Sequence, residues 1–292
     1  MKKNLNLKVA VIDIGSNSCR LMLKTNSDKQ KFLVMTRLAE GKANGYLSDN
    51  SINRTVNGVK ALFDKALKLG ANDIYIFATA AVRNSLNGNV VCDEIKKQTG
   101  VGVDVVSGEL EAELAVLGAL QGRDGGIIDI GGASTEIAFK QANEIVYGVS
   151  YKFGCVSLLN DFAGDYSASQ GFLQNNLKGV RRVFNGGFVG VGGTITTLAG
   201  ISLSINEYDA SKIQSATLTI SKVNELAKEL KGLTKDEIIS RYPLASKRAD
   251  IIAYGAQILL SVMQAYGIDE IKVSDSDNLE GYLEYLTRDE KV

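Results

Sequence analysis

The chain has 292 residues, 45% of them hydrophobic, which is enough for one large or two medium domains with cores of their own. Lys plus Arg and Asp plus Glu both number 33, so the formal net charge is +0 and no global field attracts a nucleic-acid polymer. The chain has His 0, which excludes histidine nucleophiles, Ser-His-Asp triads and histidine metal sites, and leaves acid–base work to carboxylates, Lys, Tyr or Cys.

In chain order, apolar runs and alternation predict strands over residues 9–14, 20–24 and 31–37, followed by a helix over about 51–69. A strand over 73–79, a helix running through 97, a strand over 101–107 and a helix over 109–120 complete the first half. The second half repeats that order. Strands are expected at 127–130, 135–139 and 144–151, helices near 155–162 and 167–184, and a strand at 187–193. Further helices, a long one near 246–266, a strand at 270–276 and a final helix close the chain. Glycines and charge in "QGRDGG" (121–126) interrupt the apolar pattern, so the expected domains are 1–123 and 124–292. Each is an α/β unit, and the natural ligand site is the cleft between them.

Three cysteines, Cys19, Cys92 and Cys155, form no paired motif and read as small apolar residues of a reducing cytoplasm. Lys2 and Lys3 precede an apolar segment that Asp13 interrupts, which is not the pattern of a signal peptide. The most apolar segment, 251–267, carries Gln257 and Gln264 and falls short of a membrane span, so it is expected as a core helix.

The repetition carries the chemistry. "VAVIDIGSNSCRL" drives an apolar strand into Asp13 and the turn Gly15-Ser16-Asn17-Ser18, and 116 positions later "GIIDIGGASTEI" does so again with Asp129 and Gly131-Gly132-Ala133-Ser134-Thr135. Such a strand-turn-strand offers backbone N–H groups and hydroxyls to phosphate oxygens. Asp13 and Asp129, at the strand ends, are candidates to hold a hard divalent cation. One copy alone would be an ordinary glycine-containing hairpin; two matched copies point to a polyanion site.

With "ATAAVRNSLNG" (78–88), "SGELEAELAVLG" (107–118) and "GVGGTITTLA" (190–199), these stretches make the chain resemble the exopolyphosphatase and guanosine pentaphosphate phosphohydrolase family, in the superfamily of sugar kinases, heat-shock ATPases and actin. The likeness runs in order over nearly the whole chain. It implies two ribonuclease H-like domains, Mg²⁺-dependent hydrolysis of a phosphoanhydride, and polyphosphate or guanosine pentaphosphate as substrate. By the same resemblance Glu111 is the general base and Arg83 a phosphate contact. Asp129 and Glu136 become Mg²⁺-associated acids, and Gly192, Gly193 and Thr194 join the phosphate-binding loops.

The chain departs from the family pattern at three places. Ala133 stands for the third glycine of D-I-G-G-G-S-T-E, Ala39 for the glycine of R-L-G-E-G, and Leu279 for the arginine of G-L-R-E-G. Strain at the two alanines and a lost phosphate-facing cation at Leu279 are the expected consequences. A superfamily kinase and a non-hydrolysing binding module are the alternatives, and "SGELEA" favours water over another acceptor. The basic clusters Lys178, Arg181, Arg182 and Lys247, Arg248 read as a solvated face rather than a track for a long polymer, so short chains are the expected substrate. A homodimer is the default assembly.

Overall fold

The computed structural model describes residues 8–26, 28–180, 184 and 186–289. Lys2, Lys3, Arg181 and Arg182 lie outside them. The elements are β1 (Val9–Ile14), β2 (Ser18–Lys24), β3 (Lys29–Met35), α1 (Asp49–Lys68), β4 (Asp73–Ala78), α2 (Ala80–Arg83), α3 (Gly88–Thr99), β5 (Val103–Val105) and α4 (Gly108–Leu120). There follow β6 (Gly125–Ile130), β7 (Thr135–Gln141), β8 (Glu144–Tyr151), α5 (Cys155–Phe162), α6 (Tyr166–Asn176), β9 (Phe188–Val191), α7 (Gly192–Ser202) and α8 (Ala210–Ile213). The last are β10 (Thr217–Thr219), α9 (Ile220–Leu230), α10 (Lys235–Arg241), a 3-10 helix (Pro243–Arg248), α11 (Ile252–Tyr266), β11 (Glu270–Val273) and α12 (Asn278–Asp289).

Two sheets carry the duplication. The first has the order β3-β2-β1-β4-β5, and the second has β8-β7-β6-β9-β11 with β10 added at the β11 edge. In each, three strands form an antiparallel meander and the first of them pairs parallel with a strand that follows a helix. This is the ribonuclease H-like arrangement, twice. The central strands β1 and β6 are buried almost throughout, as strands covered on both faces must be, and their continuous apolar runs follow from that.

The chain divides elsewhere than "QGRDGG". One unit comprises Met1–Leu114 with Asn278–Val292, and the other comprises Ala115–Asp277. The last helix therefore belongs to the first unit, not the second. Its apolar side explains this: Leu279 and Tyr282 join Val11, Met22, Phe77, Val106 and Leu114 in one buried cluster, and the Tyr282 ring stacks on Phe77 with centroids 4.5 Å apart. The Leu279 side chain itself is fully buried in this core.

Smaller differences have local causes. The strand expected over 187–193 stops at Val191 because Gly192 takes φ +82° and opens α7. The helix expected to 184 ends at Asn176. The helix expected from 246 begins at Ile252, after the 3-10 turn led by Pro243. β10, three residues long, is too short to leave an alternation. α11 is the core helix its composition suggests, and no helix among the described residues is long and apolar enough to cross a membrane. Burial pushes the Cys19 thiol up to about 12 and Cys155 to about 11, which suits inert core residues.

Truncating Leu279 tests the placement of α12. Leu279→Ala should lose about 2–5 kcal/mol of unfolding free energy in urea, the range for a buried leucine that leaves a cavity. A loss under about 0.5 kcal/mol, typical of surface positions, would contradict the packing described.

Candidate active site

In the first unit, Asp13 is the next-to-last residue of β1 and stands directly across the sheet from Arg20 on β2. The register of the hairpin makes them partners. Arg20 Nε donates to Asp13 Oδ2 at 3.0 Å and Nη2 donates to the same oxygen. Asp13 therefore already holds a cation. One oxygen of the carboxylate thereby anchors Arg20.

Between these two strands lies the turn Gly15–Ser18, closed by a 3.1 Å bond from Gly15 N to Ser18 O. The carbonyls of its central residues are tied back: Asn17 O accepts from Thr36 N and Arg37 N at 3.2 and 2.8 Å, and Ser16 O accepts from Ala39 N at 2.9 Å. Ser16, Asn17 and Ser18 are all buried, and Asn17 Nδ2 has no hydrogen-bond acceptor among the described residues. A buried amide donor left open is costly unless something accepts its proton. A phosphate oxygen is such an acceptor.

Glu111 is brought to this end of the unit by α4, whose start is fixed by Ser107: its Oγ accepts from Leu110 N at 3.1 Å and its carbonyl from Glu111 N at 2.9 Å. The carboxylate is 5% exposed. Arg83, closing the single turn α2, donates through Nη1 to Glu111 Oε2 and to Val106 O, both at 2.8 Å. Burial raises the Glu111 carboxyl above the ordinary range, Arg83 opposes that by charge and hydrogen bond, the Asp13 charge adds to it, and a Thr79 hydrogen bond lowers it. Asp13, Thr79, Arg83 and Glu111 thus form one interacting group, to which Asp13 adds Arg20.

The second unit uses the same frame with different charges. Asp129 on β6 faces Glu136 on β7 at the register position that Asp13 and Arg20 occupy in the first unit. Gly131 N again donates to Ser134 O, at 3.0 Å. Again the loop carbonyls are tied back, Gly131 O to Cys155 N and Gly132 O to Val156 N and Ser157 N, here by the start of α5. Neither Ala133 nor Ala39 has positive φ, so the strain expected at these alanines is absent; the left-handed residue beside Ala39 is Arg37, at φ +48°.

Some expected contacts are spoken for. Thr135 Oγ1 donates to Phe153 O at 2.8 Å, and Thr194 Oγ1 lies 3.3 Å from Cys155 Sγ. Both hydroxyls are buried and bond within the fold. Ser134 is buried in the loop beside them. Gly192 and Gly193 do face chemistry: a Cβ on Gly192 would fall 2.4 Å from Asp129 Oδ1, and one on Gly193 would fall 1.9 Å from Arg248 Nη2. Arg248, read from the sequence as part of a solvated face, is half-buried against this glycine, whereas Lys178 and Lys247 are exposed.

Whether a divalent cation suits these residues turns on Asp129 and Glu136. They are 7% and 1% exposed, and Ser150 Oγ donates to Glu136 Oε1 at 2.7 Å. Two buried carboxylates in direct register repel unless a positive charge joins them. Hard oxygen donors suit Mg²⁺, which takes one or two carboxylates and completes its shell with phosphate oxygens and water. Among the described residues no group of three or more His, Cys, Asp or Glu could hold a metal. The residues fit an ion shared with substrate.

The model of the Ppx/GppA phosphatase family matches residues 28–286. The chain is 30% identical to the bifunctional 3-dehydroquinate synthase/phosphatase of Fusobacterium nucleatum subsp. nucleatum, over 94% of this chain but 46% of that protein. It therefore spans about half the length of that relative. It is 27% identical to exopolyphosphatase 2 of Mycobacterium tuberculosis, over 94% of this chain and 97% of the relative. Among solved structures, the Aquifex aeolicus member of the Ppx/GppA family superposes with a TM-score of 0.78 at 27% identity, over 98% of this chain and 99% of the other.

The direction of the Glu111 shift has a consequence for stability. A carboxyl raised in the fold contributes stability that is present below its unfolded value and is lost as pH rises through the raised one. Glu111→Gln stays neutral and escapes that loss. Its melting temperature should match the parent near pH ~4 and equal or exceed it near pH ~8. A variant that melts lower than the parent only at the higher pH would show that pairing with Arg83 outweighs burial.

Proposed function

This chain belongs to the Ppx/GppA phosphatase family, and we propose that it hydrolyses phosphoanhydrides, releasing the terminal phosphate of inorganic polyphosphate with short chains preferred. The observation that carries the proposal is the buried Glu111 carboxylate held by Arg83, in the same unit as a turn whose buried Asn17 Nδ2 has no acceptor among the described residues. In this reading Glu111 takes a proton from water as the water oxygen bonds to the terminal phosphorus. The bridging P–O bond breaks, and the shortened chain leaves with the electron pair. A positioned general base typically contributes ~10²- to 10⁴-fold.

Arg83 has a second part. Nη1 is engaged by Glu111 and Val106, and the rest of its planar fork suits phosphate oxygens. Asn17 Nδ2 and the turn Gly15–Ser18 bind the same kind of oxygen. In the second unit the Gly131–Ser134 turn and the Gly192–Gly193 start of α7 are the corresponding phosphate-binding elements. Asp129 and Glu136 would hold Mg²⁺, which when bound neutralises phosphate charge.

The preference for short chains rests on charge. A long polymer needs an extended cationic path, and a chain with 33 basic and 33 acidic residues offers no global one. The relative of matching length is named an exopolyphosphatase, and that name supports the choice of polyphosphate over guanosine pentaphosphate for this chain.

Phosphate release with Mg²⁺ should be measured on tripolyphosphate, long polyphosphate, guanosine pentaphosphate and ATP. Glu111→Gln should lower kcat by ~10²-fold or more while substrate affinity is retained. Asp129→Asn should instead raise the Mg²⁺ concentration needed for half-maximal rate. A folded Glu111→Gln protein with near-parental turnover would remove Glu111 from the chemistry, and processive digestion of long polymer would contradict the short-chain preference.

A further inference from the structure

The two phosphate-binding turns are held from behind in different ways. In the second unit the N–H groups that take the loop carbonyls come from the start of α5, a helix that holds its own shape. In the first they come from residues 36–39, an irregular strap outside any helix or strand at its centre. That strap includes Arg37 at φ +48°, a left-handed conformation costing ~1–2 kcal/mol for a residue with a Cβ.

One side chain fixes it. Arg54, in the second turn of α1, donates from Nε to Thr36 O at 2.5 Å and from Nη2 to Arg37 O at 3.0 Å and Glu40 Oε2 at 2.8 Å. The first two acceptors are the carbonyls on either side of Arg37, so one guanidinium sets both peptide planes that define its φ and ψ. The N–H groups of Thr36 and Arg37 then meet Asn17 O, and that of Ala39 meets Ser16 O. We infer that Arg54 is a positioning residue for substrate phosphate: it holds the strap that turns the carbonyls of Ser16 and Asn17 away and leaves the Asn17 amide directed at the ligand. The inference rests on the proposed role of this turn as a phosphate cradle.

Bulk stability does not account for the arrangement. The side chains of Arg54 and Glu40 are 41% and 49% exposed, and exposed ion pairs contribute little. What the guanidinium supplies is geometry, and a lysine ammonium at the end of a flexible stem cannot satisfy two flanking carbonyls and a carboxylate in one plane.

The test uses the full chain as parent, Arg54→Ala, Arg54→Lys and Glu40→Gln, with tripolyphosphate as the probe. Calorimetry gives Kd, steady-state phosphate release gives KM and kcat, and thermal melts report folding. Arg54→Ala and Arg54→Lys should each raise Kd and KM by about tenfold with kcat within about threefold of parent, the pattern of lost binding shared by ground and transition states. Glu40→Gln keeps both carbonyl bonds and should shift KM by less than about twofold. Added methylguanidinium should recover part of the affinity of Arg54→Ala. Parental Kd in Arg54→Ala, or full rescue by Arg54→Lys, would overturn the inference, as would a fall in kcat and melting temperature at unchanged Kd. A parent that binds tripolyphosphate but releases no phosphate would defeat the hydrolase reading and leave the Kd comparison to decide on Arg54. A parent that does not bind it would defeat both.

Discussion

A carboxylate removed from water beside a single arginine fork is the constraint around which the first unit is arranged. Glu111 is 5% exposed, and its charged form is disfavoured by burial more than it is favoured by Arg83. The imbalance is useful for chemistry. A base held above the ordinary carboxylate range accepts a proton from water more readily once it is ionised. The fold meets the cost through rigid support: α2 places Arg83 from one side, Ser107 fixes the start of α4 from the other, and Thr79 adds a hydrogen bond. Asp13 stands close enough to raise Glu111 further, and Arg20 balances its charge.

Duplication explains how one frame came to serve two tasks. In each unit an antiparallel hairpin closes with the same N–H to carbonyl bond, and two carbonyls of its turn accept from donors elsewhere in the unit. The pair standing at the hairpin base differs between the units. Asp13 with Arg20 is self-neutralising and supports an arginine; Asp129 with Glu136 is doubly acidic and suits a cation.

Much of this was legible in the sequence, for physical reasons that can be named. Strands β1 and β6 carry apolar runs, α11 is mostly apolar and buried along most of its length, and both turns carry glycine at the start, so local chemistry and tertiary role agree there. Glu111 emerged from its resemblance to a motif; on local grounds it reads as an acid at a helix start. What escaped depends on contacts distant in sequence. Nothing near Leu279 says that α12 returns to pack on Val11 and Phe77. Arg20 follows from hairpin register, which could have been read by pairing residues across the four-residue turn. The directions of the Thr135 and Thr194 hydroxyls, and the approach of Arg248 to Gly193, are set by neighbours that no local pattern specifies.

The central claim is that burial raises Glu111 and that its ionised form drives the reaction. The pH dependence of kcat for phosphate release from tripolyphosphate, in the parent and in Thr79→Val, tests it most directly. The account predicts an acid limb in the parent above the ordinary glutamate value of ~4.3, and a limb moved further upward in Thr79→Val, which loses a hydrogen bond that lowers the pKa. A parental limb at the ordinary value, or one that Thr79→Val leaves in place, would contradict it.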